Sequence, residues 1–310
     1  MFNNMQIIIE QAYASAKKVL DGKNADYIPF LAKVPKDLLG ISVVTVDGQR
    51  FSYGDVNYEF AIESISKVFT LALVMENIGA KQVKEKLGDS PTGMPFNSVE
   101  ALELHGGKPL SPLVNAGAIA AASLVEGNNA DERFAKILDM QSQFAGREIK
   151  LSDEVNRSEQ DTNFHNRAIA WLLYSAGTCY SDPMQAVDAY TRQCSTLVDC
   201  DALATMGATL AAGGMNPITK KRVIKEMHVA PILAEMMMEG LYTASGDWAY
   251  TVGLPAKSGV GGGLVTVIRG KMAIAAFAPP LDEAGNSVRA QVAIAEIANI
   301  LQANLFAKNW

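Results

Sequence analysis

The sequence predicts an α+β fold (α/β in the broad sense): an antiparallel sheet flanked by terminal helices, with a helical subdomain inserted into it. Three observations lead there. Strand-like, β-branched runs occupy residues 39–52 and recur at 250–278. The long block between them, 64–243, carries helical spacing punctuated by glycines. Helical spacing also marks both ends of the chain, at 3–20 and 288–302. One sheet drawn from both ends, with the helical block beside it, is the economical arrangement. Residues 1–310 then form a single domain. Its sheet part comprises 1–63 with 244–310 and its helical part 64–243, and a site is expected in the cleft between them.

Each element has a local reason. Ile7, Ile8, Ala12, Ala16, Val19 and Leu20 fall on helical spacing, and Gly22 stops the run. Residues 39–46, LGISVVTV, end at Asp47-Gly48, a hairpin signal, so 50–52 reads as the return strand. Helices are predicted at 64–78, 115–125, 166–176, 183–193, 203–212 and 232–239; Gly79, Gly127 and Gly177 end the first three. Strands are predicted at 250–254, 264–268 and 271–278, and a last helix at 288–302. The uncharged stretch 202–219 is Ala-rich and broken by Gly213, Gly214 and Pro217. It predicts a buried helix with its exit turn, not a membrane span.

Composition narrows the function classes. The chain has 310 residues, 49% hydrophobic and 19% charged, enough apolar material for a sizeable core. Its 27 basic and 33 acidic residues give a net charge of −6 with no basic run. Nucleic acid and anionic membranes are therefore poor partners. Cys179, Cys194 and Cys200 lack CxxC spacing, and His105, His165 and His228 are scattered, so no metal cluster is expected. Free thiols, and a start with neither a basic n-region nor a long apolar run, predict a cytoplasmic protein.

Two motifs carry chemistry. In Glu63-Ser64-Ile65-Ser66-Lys67, Ser64 and Lys67 lie three apart at the opening of a strongly apolar helix. That spacing puts both side chains on one face. Burial lowers a lysine pKa and leaves a neutral amine able to take a proton. A serine at a helix N-terminus, beside such a base, is an activated nucleophile. The plainer alternative is an N-cap serine and a snorkelling lysine. The second motif is Lys257-Ser258-Gly259-Val260-Gly261-Gly262-Gly263, between strand candidates. Its glycines would let backbone approach a ligand and leave N–H groups free to point at it; Lys257 and Gly259 are secondary site candidates. No helix follows, so phosphate-loop readings are weak.

S-x-x-K opening a helix and K-[ST]-G on a late strand, in that order, resemble two of three marks of the serine β-lactamase and penicillin-binding-protein group. The third, a Ser-x-Asn or Tyr-x-Asn triplet, is absent. The chain more closely resembles the bacterial-type serine-dependent glutaminases, over almost its whole length. The matching segments are 25–31 (ADYIPFL), 63–67 (ESISK), 95–97, 102–119 (LELHGGKPLSPLVNAGAI), 158–160 (SEQ), 162–171 (TNFHNRAIAW), 235–242 (EMMMEGLY) and 254–263 (LPAKSGVGGG).

The resemblance implies a β-lactamase-like fold and hydrolysis of L-glutamine to L-glutamate and ammonia, without metal or organic cofactor. It implies Ser64 as nucleophile, Lys67 as its basic partner, Tyr242 in proton transfer and Tyr27 as a further active-site tyrosine. It implies Ser64, Asn115, Glu159, Asn166, Tyr190, Tyr242 and Val260 as the substrate-binding set, and a homodimer or homotetramer. Taken singly, each side chain also has a structural reading: Asn115 as a helix cap, Glu159 as a solvated charge, the tyrosines as packing. His165 reads as structural, and the cysteines as packing thiols. Lys67 and Tyr242 both remain possible general bases. Two other functions compete: a β-lactam, ester or peptide hydrolase of the same fold, and a catalytically silent amino-acid sensor.

Overall fold

The computed structural model describes residues 4–307; the first position of the predicted helix 3–20 lies outside the described residues. The strands are β1 (Gly40–Thr45), β2 (Arg50–Gly54), β3 (Phe60–Ala61), β4 (Lys150–Leu151), β5 (Thr196–Val198), β6 (Ala256–Ser258), β7 (Gly263–Ile268) and β8 (Met272–Phe277). Five of them form an antiparallel sheet in the order β2-β1-β8-β7-β6, so both ends of the chain contribute, as predicted. β1 and β8 run side by side, Val43 opposite Ile274.

Period-two alternation divides the central strands between two cores. Ile41, Val43, Ile274 and Ala276 point to a layer made with helices Met5–Ala16 and Val288–Ile300. Val44, Ala273, Ala275, Val265 and Val267 point the other way, to a larger core. There helix Cys200–Ala211 lies on the sheet. Its approach depends on Gly207, where a Cβ would sit 2.7 Å from both Ala273 and Val265. This helix is the buried one expected within 202–219. No helix among the described residues is long and apolar enough to cross a membrane.

Three features differ from the sequence reading. The predicted strand 250–254 is not one: helix Ser245–Thr251 occupies the first of these positions, and the strand is β6, further on. Gly253, at φ +66°, turns the chain after the helix, while the Trp248 indole donates to the Leu254 carbonyl and holds that turn. Aromatic content mimicked strand propensity there. Second, a three-stranded sheet, β3-β5-β4, was not foreseen, because strands of two or three residues carry no readable period. Third, helices Ala80–Leu87, Val99–Leu104, Ala130–Ala145 and Asp153–Gln160 were passed over. The third of these has a legible start, Asn129 accepting from the Glu132 N–H, and ends at left-handed Gly146.

Aromatic stacking ties the two sheets together next to the S-x-x-K motif. The Phe277 ring stacks on Phe60 at 4.2 Å and on Tyr58 at 5.4 Å, and Phe60 stands three residues before Glu63. Phe277 is fully buried. Phe277→Ala should cost about 3–5 kcal/mol by cavity formation, read as a lowered denaturant midpoint. It should also reduce activity in the fraction that stays folded, because Phe60 loses the surface that sets its position.

Candidate active site

Chain geometry brings the S-x-x-K and K-S-G motifs to one place. The predicted helix 64–78 divides into a 3₁₀ turn, Glu63–Ile65, and an α-helix, Ser66–Ile78. Ser64 therefore sits in the turn that feeds the helix, 7% exposed. The preceding residue, Glu63, has φ +52°, a left-handed conformation that is strained for glutamate. Ser66 steadies the turn by donating its hydroxyl to the Glu63 carbonyl at 2.6 Å.

Lys67 is 1% exposed. Its Nζ donates to Asn115 Oδ1 at 2.7 Å and to the Leu113 carbonyl at 3.4 Å, and faces the Phe96 and Tyr190 rings at 5.9 Å each. Burial pulls its pKa from the usual lysine range down to about 8, against the opposing pull of Cys194, Glu239, Glu63 and Glu159. The burial expected of this lysine from its apolar helix is found.

A polar chain leads outward from Lys67. Asn115 Oδ1 also accepts from the Tyr190 hydroxyl at 3.1 Å, and Asn115 Nδ2 donates to Asn166 Oδ1 at 3.0 Å. These bonds fix both amide orientations and leave Asn166 Nδ2 with no partner among the described residues. Tyr190 is buried, which raises its hydroxyl pKa well above the normal range.

The Tyr242 hydroxyl hydrogen-bonds Ser64 and donates to the Ser258 carbonyl at 3.4 Å. Burial raises its pKa, with Ser64 and Ser258 pulling the other way. Tyr242 itself holds a left-handed φ of +56°. Its ring lies 4.6 Å from Phe96, and the Lys257 ammonium sits 4.2 Å over its face. Lys257 is fully buried and donates to the Gly240 and Ser258 carbonyls at 3.0 and 2.8 Å. Burial and the charge of Lys67 hold its pKa well below the lysine norm. Asn286, which sequence reasoning missed, anchors the K-S-G strand. It accepts from Ser258 Oγ at 2.5 Å and donates to the Leu241 carbonyl at 3.2 Å. A lone asparagine after a loop gives no signal in sequence.

The glycine-rich loop is shaped by protein before any ligand. A Cβ on Gly259 would meet the Ile62 carbonyl at 2.7 Å, and one on Gly261 the Ala61 carbonyl at 2.3 Å. The loop thus lies against the strand that delivers Ser64, and the Val260 N–H has no hydrogen-bond partner among the described residues.

Glu159 ends helix Asp153–Gln160 and forms no salt bridge among the described residues. Burial raises its pKa, while Glu63 and Lys67 restrain the rise. Tyr27 is 55% exposed, yet its hydroxyl titrates higher than normal through desolvation and the neighbouring Tyr242, Glu63, Glu159 and Asp26. A cavity of about 690 Å³ opens beside this group, walled by Tyr27, Phe96, Val260, Leu281 and Gly285 among others. Ser64 and Lys67 are not in its wall. Tyr242, which hydrogen-bonds Ser64, stands close to the cavity residue Gly285, where a Cβ would meet its ring at 3.7 Å. His165 stands apart from this group, its ring nitrogen paired with the Asn97 carbonyl at 2.6 Å. All three cysteines are free and buried, and among the described residues no His, Cys, Asp or Glu cluster could hold a metal.

A family model described as glutaminase matches residues 22–306. The chain belongs to the glutaminase family. It is 70% identical over 298 residues to a glutaminase of Brucella canis (strain ATCC 23365 / NCTC 10854 / RM-666), covering 96% of this chain and 94% of that one. A solved structure described as a probable glutaminase superposes with a TM-score of 0.97 at 62% identity, covering 98% of both chains. A second, described as Mglu in its glutamate form, gives 0.93 at 32% identity, covering all of this chain and 72% of that one. Family members are amidohydrolases with a β-lactamase-like fold, so the antiparallel sheet with helical insertion is the family architecture.

The buried lysine makes a thermodynamic prediction. Below pH 8 Lys67 is charged in both folded and unfolded chains, and the native state bears the full desolvation cost. Between pH 8 and the unfolded value near 10.5 only the unfolded chain keeps the proton, so this cost fades as pH rises. Lys67→Met should therefore be inactive but more stable than the parent by about 3 kcal/mol at pH 7. The gap in denaturant midpoint should close toward pH 10.

Proposed function

We propose that the protein hydrolyses L-glutamine to L-glutamate and ammonia through an acyl-enzyme on Ser64. The observation that carries this is Ser64 hydrogen-bonded to Tyr242 in the turn before a helix whose Lys67 amine is buried, which lowers its pKa to about 8. The chain's high identity to relatives named glutaminase, and the solved relative in a glutamate form, supply the substrate.

The substrate presents an α-ammonium, an α-carboxylate and a primary amide. Glu159, a buried acid without an ion-pair partner among the described residues, suits the ammonium. Asn166 Nδ2 and the second N–H of Asn115 Nδ2 suit the carboxylate, contributing donors without net charge, while the Tyr190 hydroxyl holds Asn115 in place. Ser64 Oγ attacks the side-chain carbonyl carbon and passes its proton to the neutral Lys67 amine. Burial raises the Tyr242 pKa and keeps it a neutral hydroxyl rather than a base; it gives its proton to the amide nitrogen as the C–N bond breaks and ammonia leaves, and it takes back the proton held by Lys67. The N–H groups of Ser64 and Val260 receive the oxyanion, and losing one such donor typically costs about 3 kcal/mol of barrier. Water then attacks the glutamyl ester and restores Ser64. Tyr27 closes the outer side of the pocket. Lys257 supports Tyr242 from behind its ring, and Gly259 allows the loop its close approach. The enzyme acts on a small molecule in the cytoplasm as a homo-oligomer.

Ammonia release from L-glutamine and L-asparagine, by the parent protein and Ser64→Ala, tests this reading. Glutamine turnover by the parent alone is expected, with unchanged thermal stability in the variant. Substantial turnover by Ser64→Ala would remove Ser64 as nucleophile.

A further inference from the structure

Glu63 enters none of the steps above, yet its carboxyl is closely constrained. It is 3% exposed, holds a left-handed backbone, and adjoins the nucleophile. The glycine-rich loop presses on its stem: a Cβ on Gly259 would meet Glu63 Cβ at 3.1 Å, and one on Gly261 would meet Glu63 Cγ at 3.2 Å. Its carboxyl is in hydrogen-bond contact with that of Glu159. Oε1 of Glu63 and Oε1 of Glu159 are both buried, and neither receives a donor among the described residues. Two ionised carboxylates cannot share such a contact, so one proton must lie between them. Glu63 is the deeper of the two, and burial and the Glu159 charge both favour its neutral form. Glu159 is the less buried of the two, and the contact favours its ionised form.

We propose that Glu63 is a positioning residue for substrate selection: its protonated carboxyl donates to Glu159 and holds the ionised Glu159 carboxylate toward the substrate ammonium. The pair then carries one negative charge, matched to one ammonium. The left-handed turn and the two glycines keep Glu63 close enough to make this bond. The inference rests on the reading of Glu159 as the ammonium acceptor.

The pair is tested by steady-state ammonia release with L-glutamine and with its deamino analogue, 4-carbamoylbutyrate. The proteins compared are the parent, Glu63→Gln, Glu63→Leu and Glu159→Gln. Glutamine, as an amide, can donate the same hydrogen bond, so Glu63→Gln should keep the KM for L-glutamine within about threefold. Glu63→Leu and Glu159→Gln should each raise that KM about tenfold or more, with a smaller change in kcat. A merely structural role would not separate the Gln variant from the Leu variant in this way. If Glu63→Leu does not fold, the comparison of the two Gln variants decides. Equal loss in both, or the greater loss in Glu63→Gln, overturns the proposal. If Glu159→Gln still prefers L-glutamine to the deamino analogue as strongly as the parent, the Glu159 reading itself fails, and the pair falls with it. If that preference is lost while Glu63→Gln matches the damage of Glu159→Gln, only the role of Glu63 falls.

Discussion

A lysine amine with almost no access to water organises this protein. Lys67 is satisfied by Asn115 Oδ1 and the Leu113 carbonyl, and both partners belong to a different part of the chain. Keeping that amine dry requires the apolar helix Ser66–Ile78 behind it, with Val68, Phe69, Leu71, Ala72 and Val74 all buried. It also requires Phe96 and Tyr190 beside it. Desolvation of this kind destabilises the folded chain and lowers the lysine pKa; on the proposed reading it exchanges stability for a base.

The sheet supplies the complementary half. β6 carries Lys257 and Ser258 past Tyr242, and the glycine-rich loop then doubles back onto the strand leading to Ser64. The loop's small residues therefore serve close backbone packing, which leaves the Val260 N–H free. Two of the left-handed non-glycine residues, Glu63 and Tyr242, stand where the two halves meet. Phe277, stacked on Phe60, links that junction to the central strand of the sheet. On the proposed reading, Ser64, Tyr242 and Val260 are thereby placed around one reacting carbonyl without any cofactor.

Much of this was legible in the sequence. β1, β7 and β8 follow from β-branched runs, and Ser64 with Lys67 from their spacing in an apolar helix. The resemblance pointed to Asn115, Glu159, Asn166, Tyr190 and Tyr242, and the structure brings these side chains around Lys67 and Ser64. What was not legible depends on contacts between distant segments. Residues 250–254 read as a strand, but helix Ser245–Thr251, Gly253 and the Trp248 bond to Leu254 make them a helix end and turn. β3, β4 and β5 are too short to show a period. Asn286 matters only because Ser258, 28 positions away, donates to it. Glu63 read as part of a motif, and its pairing with Glu159 emerges only when helix Asp153–Gln160 is folded against the turn.

The central claim is that Ser64 becomes covalently acylated. Mass spectrometry of peptides from the protein, quenched in acid within one turnover of L-glutamine, addresses it directly. The account predicts a glutamyl ester on the peptide containing Ser64, formed and lost at rates compatible with turnover, and absent from Ser64→Ala. Full turnover with no adduct, or an adduct on another residue, would contradict it.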